Sequence, residues 1–201
     1  MRMHRVLLGA FWLTLAVVGL TGCNTGKGVV DPAVQHATLR IANLIPDASG
    51  PLNVTLDSNT FVSGLNFEAL TQYQQIDSGS RVIQLSVAGG ANNIISTTLN
   101  FTGTINYTLV AYGPVAEPTV VLIGDVTIDP GAGHFNLRLI NAAAAGVSAV
   151  DIYVTAPGAN LDATAPSIAG VRLGAASGFV TLPAGNVEIR ITPANTKEVI
   201  Y

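Results

Sequence analysis

From Thr38 onward the chain alternates apolar and polar positions over short runs, and turn residues break every run. Leu39/Ile41, Leu52/Val54/Leu56 and Ile83/Leu85/Val87 each place apolar side chains two residues apart, the period of a half-buried strand. The pattern predicts strands over Thr38–Leu44, Leu52–Leu56, Phe61–Leu65, Tyr73–Ile76, Arg81–Val87, Ile94–Phe101, Ile105–Tyr112 and Val120–Val126. Pro46-Asp47, Ser49-Gly50-Pro51, Asp77-Ser78-Gly79, Gly89-Gly90 and Gly113-Pro114 punctuate them. No segment of this region keeps helical spacing over three turns. Short strands at such regular spacing point to a sandwich or barrel of antiparallel sheets.

The N-terminus follows another rule. Arg2 and Arg5 precede an apolar run, Val6 to Leu20, and then Thr21-Gly22-Cys23. A charged start, an apolar stretch and small residues before a cut describe an export signal. At about 15 residues the run is shorter than the roughly 20 a membrane-spanning helix needs. Leu20-Thr21-Gly22-Cys23 resembles the bacterial lipobox, in which the cysteine thiol takes a diacylglycerol and the signal is cut before it. Cys23 is the only cysteine of the chain, so no disulfide partner exists and lipid attachment explains its presence. Two or more acyl chains anchor a protein stably, at about 0.8 kcal/mol per buried methylene. Asn24 follows where an aspartate would resemble an inner-membrane retention signal, so the expectation is the outer membrane of a bacterial envelope. Asn24 to Gln35 reads as a tether which, if flexible, would reach on the order of 20 Å.

Comparing the chain with itself reveals a repeat. His36-Ala-Thr-Leu-Arg-Ile-Ala-Asn43 matches His134-Phe-Asn-Leu-Arg-Leu-Ile-Asn141 at an offset of 98, which also places Leu52/Val54/Leu56 on Val150/Ile152/Val154. After eight inserted residues within Ala156 to Ala169, an offset of 106 aligns Gly64 with Gly170, Phe67 with Leu173 and Tyr73 with Phe179. The same offset aligns Ile76 with Leu182, Gly79 with Gly185, Ile83 with Ile189 and Leu85 with Ile191. Core-facing positions stay apolar and turn glycines recur. The expected organisation is a signal (1–22), a lipidated tether (23–36), a first β-sandwich (37–129) and a second, incomplete one (134–201). Asp129-Pro130-Gly131-Ala132-Gly133 joins the copies. Counterparts of Asn106–Tyr112 and Val120–Asp125 are missing from the second copy. That end is expected to reflect truncation or, as the alternative, completion by a partner's strand.

In the second copy Leu137-Arg138-Leu139-Ile140-Asn141, Val150-Asp151-Ile152-Tyr153-Val154 and Leu182-Pro183-Ala184-Gly185 stand out, followed by Val187 to Ala194. These closely resemble the bacterial repeat catalogued as domain of unknown function 4397, whose members read like R-V-x-[HN]-A-x-P-D-A, V-D-V-Y-V and L-P-A-G. The first copy keeps Pro46-Asp47-Ala48, where the second has Ala144-Ala145-Gly146. Conversely, the first copy carries Asn53-Val54-Thr55 and Ile76-Asp77-Ser78-Gly79 in place of the other two motifs. The resemblance covers residues from about 37 to 201 and implies immunoglobulin-like sandwiches in exported, often lipid-anchored proteins. It implies no activity, and the motif residues read as turn and strand chemistry.

Composition narrows the chemistry. The 201 residues are 49% hydrophobic and 10% charged, with nine Lys+Arg against twelve Asp+Glu. Without the signal the balance falls to about -5, and no basic block exists to follow a phosphate backbone, so no nucleic-acid partner is expected. G-x-S-x-G, H-E-x-x-H and P-loop patterns are absent, and a lipidated Cys23 leaves no thiol for nucleophilic work. His36 and His134, the histidines beyond the signal, occupy equivalent places and are expected to bond locally at the start of a strand. Arg40 and Asn43, like Arg138 and Asn141, are three apart and face opposite sides of a strand. Arg40 is expected to cover apolar surface or to bond a neighbouring acid. Asp47, Asp57, Asp77, Asp125, Asp129 and Asp151 are scattered, without the spacing of a calcium loop. The Asn53, Asn100 and Asn106 sequons reflect a Thr/Asn-rich strand protein rather than glycosylation.

These features predict a non-enzymatic envelope protein that needs no cofactor or metal. It is anchored through Cys23 and acts as a spacer or a binding and adhesion module. Its partners would be the membrane, through the lipid, and a protein or glycan met by loops on a rigid scaffold. Exposed aromatics at loop tips would mark such a surface; the candidates are Phe61, Tyr112 and Tyr153. A subunit completed by a partner strand is the alternative, and a hydrolase the third.

Overall fold

The structure is a computed structural model, and it describes residues 34–126, 128–143 and 147–201. The expected signal, Cys23, the expected tether up to residue 33 and Ala144-Ala145-Gly146 lie outside the described residues. Every regular element among the described residues is a strand, so the described part of the chain is all-β. The first copy holds β1 (His36–Leu44), β2 (Leu52–Leu56), β3 (Asn59–Leu65), β4 (Gln74–Asp77), β5 (Gly79–Val87), β6 (Asn93–Phe101), β7 (Asn106–Tyr112) and β8 (Thr119–Asp125). The second holds β9 (His134–Leu137), β10 (Ala149–Thr155), β11 (Ile168–Arg172), β12 (Val180–Pro183) and β13 (Glu188–Pro193). Each of the eight strands read from alternation in the first copy is present, with ends displaced by at most two residues.

The first copy is a sandwich of two four-stranded sheets, ordered β4-β1-β7-β8 and β3-β2-β5-β6. Leu39, Ile41 and Leu109 from one sheet and Leu52, Ile83 and Leu85 from the other have no exposed surface and share one core. Each such side chain stabilises the fold by roughly 1.5–3 kcal/mol relative to exposure. One pair departs from the antiparallel pattern: β1 and β7 run parallel, from Thr38 opposite Asn106 to Leu44 opposite Tyr112. A parallel neighbour requires a long crossover. Here the chain passes through the second sheet, returns to the first as β4, and crosses again through β5 and β6 before β7 settles beside β1.

Among the described residues the second copy repeats this plan with β9 to β13. β12 pairs with β9 as β4 pairs with β1, and β10 lies between β11 and β13 as β2 lies between β3 and β5. Tyr201 exchanges backbone bonds with Ile191, the place that Ile95 takes opposite Leu85. Among the described residues β9 has one neighbour, and the side that β7 occupies beside β1 is open. The core here is small, with Val150, Ile152, Ile168 and Val171 buried and Leu137 and Leu139 half-buried against them. No helix among the described residues is long and apolar enough to cross a membrane.

Candidate functional site

The repeat provides an internal control, because what both copies share serves the fold. Asn43 and Asn141 are the clearest shared residues, exposed by only 1% and 4%. Asn43 Nδ2 donates to the Leu65 carbonyl at 3.0 Å, and its Oδ1 accepts from the Ile45 amide at 3.1 Å. Asn141 makes the same two bonds, to the Val171 carbonyl at 3.0 Å and from the Ala143 amide at 3.3 Å. Both backbones then receive the amide of a left-handed residue, Glu68 at 2.8 Å and Gly174 at 2.7 Å. The asparagine of the R-x-x-N motif therefore ties the first strand to the loop beyond the third, and a buried amide so satisfied is structural.

The other motif residues are spent in the same way. Gly64 and Gly170 both adopt positive φ, 71° and 63°, and their amides are received by Asn53 at 3.0 Å and Asp151 at 2.6 Å. The second Asp151 oxygen accepts from the Asn195 amide at 2.9 Å. Asp47 accepts from the Val115 amide at 2.7 Å, closing one loop on another. Arg40 stacks over Tyr73 at 4.6 Å and Arg138 over Phe179 at 4.9 Å, the aromatic pair that the offset of 106 had aligned. Of the three candidate aromatics, Phe61 and Tyr112 are half-buried. Tyr153 is not a loop-tip residue: it is 2% exposed, with the Lys197 ammonium 4.5 Å above its ring and 3.1 Å from its hydroxyl. The same ammonium reaches the Thr164 carbonyl in the inserted segment, which is why the tyrosine is covered.

Two clusters occur once among the described residues. The first is centred on Asp125, at the end of β8. Its carboxylate accepts from the Thr108 hydroxyl and from Tyr73 Oη at 2.6 Å, pairs with the Arg138 guanidinium, and lies 3.7 Å from Arg40. Arg138 also donates to the Gly124 carbonyl at 3.0 Å. Asp125 and Arg138 are 11% and 12% exposed, so one acid of the first copy binds equivalent arginines from both. Burial alone would raise the Asp125 pKa, but bonds from Thr108, Tyr73 and Arg138 outweigh it and hold the carboxyl below its ordinary value. The same burial, aided by the bond to Asp125, pushes the Tyr73 hydroxyl up. A cleft of about 480 Å³ opens beside this junction between Arg40, Ile128, Arg138 and Phe179.

The second cluster belongs to the first copy alone. His36 Nδ1 lies 3.0 Å from Asp77 Oδ1, its register partner across β1 and β4. Arg81 reaches Asp57 at 3.2 Å and Asp77 at 3.6 Å, and also donates to the Asp77 and Ser78 carbonyls. Asp57 in turn accepts from the Val82 amide at 2.9 Å. These groups line a cleft of about 450 Å³ on the open flank of the sandwich, with Phe61 on one wall. In the second copy Pro183 stands for Asp77 and Val187 for Arg81, yet Pro183 still pairs with His134 in the same register. The fold is thus built without the cluster. His134 bonds only locally here, its Nδ1 lying 3.0 Å from the Ala132 carbonyl.

His36, Arg40, Asp57, Asp77 and Asp125 stand out in the sequence singly, without a spacing that groups them, and Arg81 lies in no motif. The signal was available in the self-comparison, where a charged residue faces a proline or valine in the other copy. Among the described residues no three His, Cys, Asp or Glu side chains are placed to hold a metal ion. A sequence model of the family described as Domain of unknown function (DUF4397) matches residues 37–153, the whole first copy and the start of the second. No curated protein matches the chain.

Proposed function

Since the chain belongs to the family of domain of unknown function DUF4397, we propose that it is a non-enzymatic, lipid-anchored cell-envelope protein acting as a spacer and binding module. Cys23 carries the lipid, and the outer membrane is the proposed site. The observation that carries the reading is the charged start and apolar run ending in the lone cysteine, followed after a short segment by a repeated β-scaffold. Support comes from the way the motif residues are spent: Asn43, Asn141, Asp47 and Asp151 all bond backbone groups and leave recognition to residues outside the motifs. The test is fractionation of cells making the native chain or Cys23→Ala, with mass analysis of the N-terminal peptide. A diacylglyceryl Cys23 in the membrane fraction, and release of Cys23→Ala, are the expected results. An unmodified chain starting elsewhere would sink the reading.

A second reading is favoured by the open side of β9. Beside it an apolar cleft of about 310 Å³ lies among Leu139, Val150, Ile191 and Tyr201. A strand from a partner chain, laid parallel to β9 as β7 lies along β1, would close it. Light scattering on the purified chain distinguishes the two: a stable monomer argues for the module, a strand-exchanged assembly for the subunit.

A further inference from the structure

The flank cleft of the first copy combines three properties that its counterpart lacks. It is a concavity of about 450 Å³, within the ~300–1,000 Å³ range of small-molecule sites. Its charged groups are immobilised: Arg81 is held by two carboxylates and two carbonyls, and Asp57 by an amide and the guanidinium. Its rim is a tight turn in which Asp57 and Ser58 both have positive φ, 49° and 68°, without the glycine such a hairpin favours. Two left-handed non-glycine residues in succession cost on the order of 1–2 kcal/mol each, and such strain gathers where a surface is pre-organised. The second copy has Thr155 and Ala156 there, followed by the inserted segment.

We propose that this cleft binds a short neutral glycan. The proposal rests on the binding-module reading above and names the ligand class. Asp57 and Asp77 already neutralise Arg81, so an anion finds no free positive charge. Those carboxylates are likewise occupied and offer no cage for a cation. What remains is a set of neutral polar groups, the exposed amides of Asn59 and Gln75, lining the cleft together with Phe61. Such a set suits a polyhydroxylated ring, whose hydroxyls pair with planar amides while its C–H face lies on an aromatic. A peptide added as a strand fits less well. The cleft lies between edge strands β3 and β4, but β3 is irregular in register against β2 and β4 has four residues, features that blunt an edge.

The test applies the full-length protein in detergent to a printed array of neutral, sialylated and sulfated oligosaccharides, with calorimetry on the free sugar of any spot bound. Neutral oligosaccharides should bind. Phe61→Ala should abolish binding, and Asn59→Ala and Gln75→Ala, at exposed positions, should each weaken it about tenfold. Melting temperatures of the latter two should be unchanged, which keeps the test valid if Phe61→Ala unfolds. Asn100→Ala, on an exposed position of β6, should bind normally. An array with no neutral hit overturns the proposal, as does affinity unmoved by Asn59→Ala and Gln75→Ala, or a peptide held in the cleft instead. A protein that is lipidated and envelope-bound yet blind to sugars overturns this inference alone. Cys23→Ala fractionation tests the reading beneath it separately.

Discussion

Leu39 and Ile41 in the first copy have no exposed surface, whereas Leu137 and Leu139 in the second are half-buried at equivalent positions. The hydrogen bonds around the neighbouring asparagines are nevertheless almost superimposable. Two layers of determination are thereby separated. Local polar bonding is written into each repeat and forms whether or not the sandwich is closed. Core burial follows the strands present, because β7 and β8 extend the sheet of β1 on the side that is open beside β9 and so enclose Leu39.

The strongest way to sharpen this comparison is to delete core volume in both copies. Leu39→Ala should cost about 3–4 kcal/mol by leaving a cavity, while Leu137→Ala should cost only about 1 kcal/mol, since solvent already reaches its site. Urea denaturation of the two variants measures the difference, and equal losses would break the comparison. Next come the asparagines. Asn43→Ala and Asn141→Ala should destabilise by similar amounts, about 2–3 kcal/mol each, by stranding one buried carbonyl and one amide. A marked asymmetry would show that this bonding depends on closure after all.

Asp125→Ala ranks third, at about 2 kcal/mol, because it leaves Arg138 unpaired at low exposure. It should also resolve one calorimetric transition into two. The pH dependence has a definite sign. The folded-state pKa of Asp125 is depressed, so its contribution is complete above the unfolded value of 3.8 and is lost as pH falls through the lower folded value. Acid titration of the melting temperature should therefore show a loss below about pH 4 that Asp125→Asn lacks. The smallest effect tests backbone alone. Gly64→Ala and Gly170→Ala should each cost about 1 kcal/mol, because a Cβ at either position meets no atom within 4 Å and only the positive φ resists it.

Much of the fold was legible because alternation and turn residues are local signals. All eight strands of the first copy followed from them, and so did the offset that relates β9 to β1. The parallel pairing of β1 with β7 was not legible, since alternation records which face is buried and carries no strand direction. Arg40 was expected to cover apolar surface or bond a neighbouring acid; it stacks over Tyr73 and lies 3.7 Å from Asp125, an acid 85 residues away and beyond any spacing rule. Tyr153 misled for a related reason. In its run Val150 to Tyr153, both faces of the strand are buried, because the insertion and Lys197 cover the outer one. The flank cleft emerged only from combining strand register, which sets His36 against Asp77, with the tight turn that carries Asp57 to Arg81.

The Asp125 junction also bears on how a duplicated protein becomes a single one. Copies joined by a five-residue linker alone could unfold, be exchanged or be lost independently. A carboxylate of the first copy that pairs with Arg138 of the second weakens that independence, since losing the first copy strands the Arg138 guanidinium and losing the second takes an ion pair from Asp125. Duplication first makes interchangeable parts; the pairing of Asp125 with Arg138 links the stability of one copy to the presence of the other.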